Sequence, residues 1–455
     1  MEHEGRGTKH LWWVRRDLSI TSLAAQAAAT QGTMAALLVL DPSFTKTTMR
    51  HAWYSASAAA LHQELAGHLD IRAGIPEEVI PAFVHEHHIS DVYVTAEYTP
   101  YGMARDTHVE HLLAARGVDF HRVGSPYLVP PGTLHTREGH PFSRFTPFFQ
   151  AWIHCIHPEV IQVPTPIWLT NPTPLPYEPL SHPYLPVPGH SAAVHLLHSF
   201  VDTRLASYVD SRDRPDLDST SGLSPYLKVG SLHPQDVINA ISPHPSRFPF
   251  LRQLAWREFF ADLLYHAPES VSRDWSPTFN DFPWEDERTR LAEITRWKAG
   301  MTGYPLVDAG MRELLATGTM HNRVRMVVAS FLVKDLNVHW SIGSRHFMNH
   351  LIDGDLASNT HNWQWVAGTG ADAAPYFRIF NPTLQAERFD PEGSYIHRFI
   401  PELASLPVPD IFMPWKSNHR PRDYPFPIVS HDEAQRAAKA RYHVLKASLH
   451  ADRNS

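Results

Sequence analysis

The chain has 455 residues, 43% hydrophobic and 19% charged, which excludes a disordered chain, a coiled coil and a minimal binding module and leaves room for two or three domains. A formal net charge of -7 excludes a uniformly basic surface, so any nucleic acid has to be met by a local patch. The single cysteine, Cys155, excludes an internal disulfide and a cysteine-based metal cluster and fits a reducing compartment.

The first ten residues are polar, and the apolar run after them is broken by Arg15, Arg16 and Asp17, so neither a signal peptide nor a membrane span is read there and the cytoplasm is the expected location. From residue 11, short β-rich apolar runs at 11–14, 35–40, 91–95 and 118–123 alternate with stretches of helical period at 51–69 and 103–115. This is the pattern of an α/β domain with a parallel sheet, expected over 1–125. The run Ala35-Ala-Leu-Leu-Val-Leu40 reads as a strand buried on both faces, ended by Asp41-Pro42. Ten prolines in residues 158–188 rule out a helix, so 126–190 is expected to be an extended connector. Beyond it the strand signal nearly vanishes. Amphipathic segments at 191–208, 250–266, 306–317 and 324–336 and a last helix at 432–449 predict a helical domain over 191–455.

Three clusters carry chemistry. In Asp353-Gly-Asp-Leu-Ala-Ser-Asn359-Thr-His-Asn-Trp363-Gln-Trp365 two carboxylates, an amide and two indoles crowd around a turn glycine. If the turn opens a helix, Asn359 and Trp363 share a face; Asp353 and Asp355 read equally as helix caps or a solvated turn. In Met320-His-Asn-Arg-Val-Arg-Met326 a helix places Asn322, Arg325 and Met326 on one face and runs straight into an apolar segment. Arg325 is therefore expected to be partly buried and to need a carboxylate, for which Asp353 is the candidate. Thr220-Ser-Gly-Leu-Ser-Pro-Tyr226 offers hydroxyls before a proline-started helix, suited either to a phosphate or to plain capping. Of the thirteen tryptophans eight lie in the helical half, among them Trp256, Trp275, Trp284, Trp297, Trp340, Trp363 and Trp365; core packing accounts for any one of them taken alone.

Taken together, these segments resemble the photolyase and cryptochrome flavoprotein family, most closely its cyclobutane pyrimidine dimer photolyases. The resemblance covers nearly the whole chain. It is carried by Trp12-Trp-Val-Arg-Arg-Asp17, Phe145-Thr-Pro-Phe148, Leu223-Ser-Pro-Tyr-Leu227, Trp256-Arg-Glu-Phe259, Lys298-Ala-Gly-Met-Thr-Gly-Tyr-Pro305 and the stretch from Asp353 to Asn381-Pro382. It implies an N-terminal Rossmann-like α/β domain with a five-stranded parallel sheet, a long proline-rich connector and an all-α FAD-binding domain.

By the same resemblance Tyr208, Arg212, Thr220, Ser221, Leu223 and Ser224 hold the diphosphate side of FAD, and Asn322, Arg325, Asp353, Asp355 and Asn359 surround its isoalloxazine. Reduced flavin is anionic, so Arg325 would stabilise it while Asp353 keeps the cation paired. Asn359 would meet the redox-active nitrogen as a neutral amide, where plant light receptors of the family carry an acid. Trp363, Trp340 and Trp284 fall at the positions of the family's electron-carrying tryptophan chain. The implied partner is double- or single-stranded DNA holding a pyrimidine dimer, taken out of the stack in the way photolyases are known to flip bases. Trp256 and Trp365 are the implied walls of its pocket, with Met326 and Gln253 facing the lesion and Arg257 and Arg323 gripping phosphates or the lesion. No metal is implied, and the chain is expected to be a monomer. Departures from the family pattern are Gln253 for a glutamate, Thr319 for a tryptophan and Gly222 for an arginine. An antenna chromophore, methenyltetrahydrofolate or deazaflavin, is implied but not assigned. The rival readings are a cryptochrome-like blue-light receptor and a family member that keeps FAD without repair.

Overall fold

A computed structural model describes residues 8–30, 32–42 and 48–452. They divide into two compact units, one of residues 1–206 with 221–268 and the other of 207–220 with 269–455.

In the first unit the chain runs β1 (Lys9–Val14), α1 (Leu23–Thr30), β2 (Thr33–Leu40), α2 (Met49–Glu64), β3 (Leu69–Ala73), α3 (Pro76–His87), β4 (Asp91–Val94), α4 (Pro100–Ala114) and β5 (Asp119–Arg122). The five strands form a parallel sheet in the order β3-β2-β1-β4-β5, as implied from the sequence. Alternate residues bury one face: Leu11 and Trp13 of β1, Ala35 and Leu37 of β2 and Val92 and Val94 of β4 share a core with Ile80, Phe83 and Val84 of α3 and Val109 and Leu113 of α4. The chain then forms α5 (Phe145–Ile153), β6 (Ile167–Trp168), α6 (His190–Thr203) and, past the 207–220 excursion that contains α7 (Tyr208–Ser211), α8 (Ser224–Val229), α9 (Pro234–Ile241) and α10 (Phe248–His266). The connector expected over 126–190 holds the helix α5 and is without a helix only in its proline-rich part, where β6 pairs with Thr33 and Met34 of β2, so the sheet gains a short sixth strand.

The segment Trp12-Trp-Val-Arg-Arg-Asp17 closes the carboxyl end of β1. Asp17 accepts hydrogen bonds from Trp12 Nε1 at 3.0 Å, Arg15 N at 2.8 Å and Thr95 Oγ1 at 2.8 Å, and the Arg15 guanidinium meets Asp106 and the Thr95 carbonyl. Here β1 and β4 are neighbours while their connections leave in opposite directions, the point where open α/β sheets bind ligands. A cavity of about 340 Å³ lies there, lined among others by Arg16, Asp17, Gln26, Tyr127 and His233.

The three-part division expected from the sequence is cut across by these units, because α6 and α8–α10 belong with the sheet. Trp53 Nε1 of α2 donates to Pro225 O at 3.1 Å and His233 Nε2 meets Ser125 O at 2.8 Å. Glu258 of α10, buried, accepts from Leu128 N at 2.7 Å, Val129 N at 3.0 Å and Trp152 Nε1 at 2.6 Å.

The second unit contains α7, α11 (Leu291–Lys298), α12 (Pro305–Thr317), α13 (Asn322–Ser330), α14 (Trp340–His350), α15 (Leu356–Ala367), α16 (Pro382–Phe389), α17 (Ser394–Phe399) and α18 (His431–Asp452). The helix expected over 324–336 is α13 followed by a π-helical turn at Phe331–Asp335. That wider turn delivers two buried charged groups, Lys334, whose Nζ donates to Ala367 O at 2.5 Å, and Asp335, 2.5 Å from His431 Nδ1. Burial pulls Lys334 well below the usual lysine range and pushes Asp335 up to about 6. The stretch Lys298 to Pro305 is a fold element: Asp308 accepts from Thr302 N and Oγ1 at 2.6 Å and from Gly303 N at 2.9 Å. Among the described residues no helix is long and apolar enough to cross a membrane.

Replacing Glu258 by alanine would leave two backbone amides and an indole N–H buried without acceptors, at about 1 to 3 kcal/mol each. The expected outcome is a loss of roughly 3 kcal/mol or more, read from the urea midpoint.

Candidate functional site

The corner between α13 and α15 brings the first two clusters together. Asp355 is the N-cap of α15, its side chain accepting from Ser358 N at 3.1 Å, so the capping reading holds for that residue. Asp353, two residues earlier, instead meets Arg325: Nη2 donates to its two carboxylate oxygens at 3.1 and 3.2 Å, and Arg325 Nε donates to Met320 O at 2.7 Å. The expected pair is present. Nη1 of Arg325 makes no hydrogen bond among the described residues, so one edge of the cation is left for a ligand. Asn359, one turn into α15 and buried, donates from Nδ2 to Ser344 O at 3.1 Å and Ser344 Oγ at 2.8 Å. Its amide orientation is thereby fixed, with Oδ1 as the unused acceptor. Asn322 lies beside Met326, Nδ2 to Sδ 3.9 Å, on the shared face expected of them.

One turn beyond Asn359, Trp363 packs edge-on to Phe347 at 4.9 Å and Trp297 at 6.3 Å. It lies over Gly343 of α14, where a Cβ would come within 2.1 Å of the indole. Trp340, one turn earlier on α14, is fully buried and donates its Nε1–H to Asp274 Oδ1 at 2.7 Å. The ring of His339 is 5.1 Å from Trp340 and 5.5 Å from Trp284. Trp340, His339 and Trp284 thus form a series of neighbouring rings, which α14 joins to Trp363 through Gly343. Sequence reading missed Asp274, His339, Gly343 and Gln364. Gln364, wholly buried, accepts from Trp275 N at 2.9 Å and donates to Ser270 O at 2.8 Å and Arg273 O at 3.1 Å; an amide between two tryptophans in a buried helix was the available signal.

The remaining candidates are divided between the units. Tyr208, Arg212 and Thr220 belong to the second, where Arg212 lies 5.7 Å over the Tyr208 ring. Ser221, Leu223 and Ser224 belong to the first, where Ser221 Oγ accepts from Leu223 N at 3.3 Å. Gly222 has φ +68°, a left-handed conformation that strains any side chain, so the departure from arginine there follows the backbone. In α10, Gln253 Nε2 donates to Pro249 O at 3.3 Å, and Trp256 stacks one face on Phe145 at 3.8 Å. Thr319 shares a hydrogen bond with the Thr317 hydroxyl at 2.8 Å. Trp365 and Met326 are partly buried against the second unit's core.

Two expected phosphate grips are already engaged. Arg257 donates to Pro126 O at 3.0 Å and Leu227 O at 3.2 Å with Tyr127 beneath it at 4.6 Å. Arg323 pairs with Asp213 at 2.8 Å and lies 4.4 Å over the Phe389 ring. Arg257 would have to break two bonds to backbone carbonyls to reach a phosphate, so it serves first to tie the chain together, whereas Arg323 spends only Nη2 on Asp213.

Comparison with known proteins gives the same architecture a lineage. The profile described as DNA photolyase matches residues 10–166, and the one described as FAD binding domain of DNA photolyase matches residues 250–444. A deoxyribodipyrimidine photo-lyase of Agrobacterium fabrum is 37% identical over 95% of this chain and 97% of its own. The chain belongs to the DNA photolyase family. The structure of a bacterial class III photolyase from Agrobacterium tumefaciens superposes with a TM-score of 0.90 at 35% identity, covering 98% of this chain and 99% of that one. A cryptochrome of Synechocystis reaches 0.85 at 27% identity, covering 97% and 100%. The photolyase corner fits FAD on its own chemistry: the open edge of Arg325 suits an anion, and the open Oδ1 of Asn359 suits an N–H donor.

Replacing Gly343 by alanine would drive a methyl group into Trp363 and to 2.7 Å from Leu332. Overpacking of this kind costs about 1 to 3 kcal/mol. A lower urea midpoint and an altered near-ultraviolet circular dichroism band are the expected results.

Proposed function

We propose that the chain is a light-driven deoxyribodipyrimidine photo-lyase that repairs cyclobutane pyrimidine dimers in DNA. The observation that carries this reading is the corner where the Arg325–Asp353 pair lies two residues before the helix of Asn359, with Arg325 Nη1 and Asn359 Oδ1 unengaged. Asn322, Arg325, Asp353, Asp355 and Asn359 would surround the flavin ring, and Tyr208, Arg212, Thr220, Ser221, Leu223 and Ser224 its diphosphate. Bound FAD in its reduced form would supply the dimer with a light-driven electron, returned once the two ring C–C bonds have broken, so that repair would need no net oxidation. Arg325 opposes the negative charge, Asp353 keeps that cation oriented, and Asn359 fixes an acceptor at the ring edge. Trp363, Trp340 and Trp284 would carry electrons inward when the cofactor arrives oxidised.

As the family resemblance implies, Trp256 and Trp365 would stack on the flipped bases, Gln253 and Met326 would face them, and Arg257 and Arg323 would grip phosphates or the lesion. The cavity at the carboxyl ends of β1 and β4 is the candidate seat of an antenna chromophore, folate or deazaflavin. The protein would act as a monomer on double- or single-stranded DNA in the cytoplasm.

Chemically reduced protein is to be mixed with an oligonucleotide carrying one thymine dimer, and the recovery of thymine absorbance followed under blue light and in the dark. Recovery in light alone is expected; no recovery from protein that demonstrably holds reduced FAD would favour the blue-light receptor reading instead. Trp365→Ala should leave the flavin spectrum intact and weaken binding to dimer-containing DNA about 5- to 150-fold, the measure of one stacked base. Trp340→Phe should slow photoreduction of oxidised flavin and leave repair by pre-reduced protein unchanged.

A further inference from the structure

We infer that Asp274 holds the positive charge that develops on Trp340 when that side chain gives up an electron. This deepens the tryptophan-path reading above and rests on it.

Of the three tryptophans on the path, Trp340 alone makes an indole hydrogen bond among the described residues, to a carboxylate. The Nε1 of Trp284 is buried without a partner. Trp340 is fully buried and the Asp274 side chain is only 6% exposed. An oxidised indole is a cation, and a cation out of water is costly unless an opposite charge is bonded to it. The 2.7 Å bond from Nε1 to Oδ1 becomes a charge-assisted bond at that moment, in surroundings where such bonds are strong.

The carboxylate is built in rather than incidental. Gln364, next to Trp363 in sequence, accepts from Trp275 N and donates to Arg273 O, bracketing Asp274 on both sides. Nδ1 of His339 accepts from Ser341 N at 3.3 Å, which places its remaining hydrogen on Nε2, 3.7 Å from Asp274 Oδ2. The second carboxylate oxygen therefore faces His339 Nε2 and the first faces Trp340 Nε1.

The step balances simply. One electron passes from Trp340 to a Trp363 already oxidised by photoexcited, oxidised flavin. No bond is made or broken, Nε1 keeps its hydrogen, and the positive charge rests opposite Asp274 until an external thiol-class reductant resupplies the electron through Trp284. Asp274 touches neither flavin nor substrate in this scheme; it is a positioning residue for charge.

The test uses FAD-loaded full-length protein with the flavin oxidised, and flash absorption to count oxidised tryptophan that outlives immediate recombination. Asp274→Asn keeps the shape and the hydrogen-bond acceptor and removes the charge. Its yield should fall roughly tenfold, the size of one charge-assisted bond exchanged for a neutral one, with FAD content and melting temperature unchanged. Asp274→Glu should restore most of the yield, and Asp274→Ser, a second neutral variant, should repeat the fall. Parental yield in both neutral variants, with Trp340→Phe abolishing the signal, would overturn the role of Asp274 alone. Parental yield in Trp340→Phe would overturn the path itself. A loss in Asp274→Glu as large as in Asp274→Asn would also overturn it, since charge would then not be the cause.

Discussion

Helix α15 is buried along most of its length yet carries Asn359, Thr360, His361 and Gln364, each less than a tenth exposed. Polar groups in that position have to be bonded, and their partners determine how the second unit is assembled. Asn359 fastens the helix to Ser344 of α14, Gln364 to the loop at 270–275, and the carbonyl of Ala367 at its last turn to Lys334 of the π-helical turn. A helix held at three levels by directional bonds can present Asn359 and Trp363 in one orientation. Hydrophobic packing alone, being non-directional, would leave that orientation less sharply set. Burial also pushes His361 down to about 4, so it stays neutral and adds no competing charge beside the aromatic path.

Charge is distributed with the same economy. Arg325 bonds through Nε and Nη2 and leaves Nη1 unbonded, Arg257 gives Nη1 and Nη2 to backbone carbonyls, and Arg323 gives Nη2 to Asp213 while its Nε is buried without a partner among the described residues. Three arginines of one sequence neighbourhood type thus do different work, and the difference lies in which nitrogens remain unbonded.

Much of this was legible beforehand. The strands at β1, β2 and β4 are apolar runs of the kind a doubly covered sheet demands, β5, Asp-Phe-His-Arg at the sheet edge, was read through the valines that flank it, and the resemblance supplied the fifth. β3 escaped direct reading because Leu69-Asp-Ile-Arg-Ala alternates apolar and charged residues at the end of a helical stretch, as a strand near the sheet edge does. β6 is two residues within a proline-rich run and carries no periodic signal. The Arg325–Asp353 pair followed from the cost of burying a cation, but Asp274, Gly343 and Gln364 did not. Their importance lies in contacts with residues 20 to 90 positions away, of which a local pattern contains no trace.

The route of the chain between its two units has a consequence for the protein's making. Residues 207–220 belong to the second unit while 221–268 return to the first, so neither unit is an unbroken stretch of sequence. During synthesis the first five strands are complete by residue 122 and β6 by residue 168, but their unit lacks α8, α9 and α10 until residue 268 has left the ribosome. A cut at the proline-rich connector would sever the sheet from helices that belong with it. The two halves of the molecule are therefore interlaced products of one chain, and deletion of either is expected to leave a fragment with exposed core in place of a separable domain.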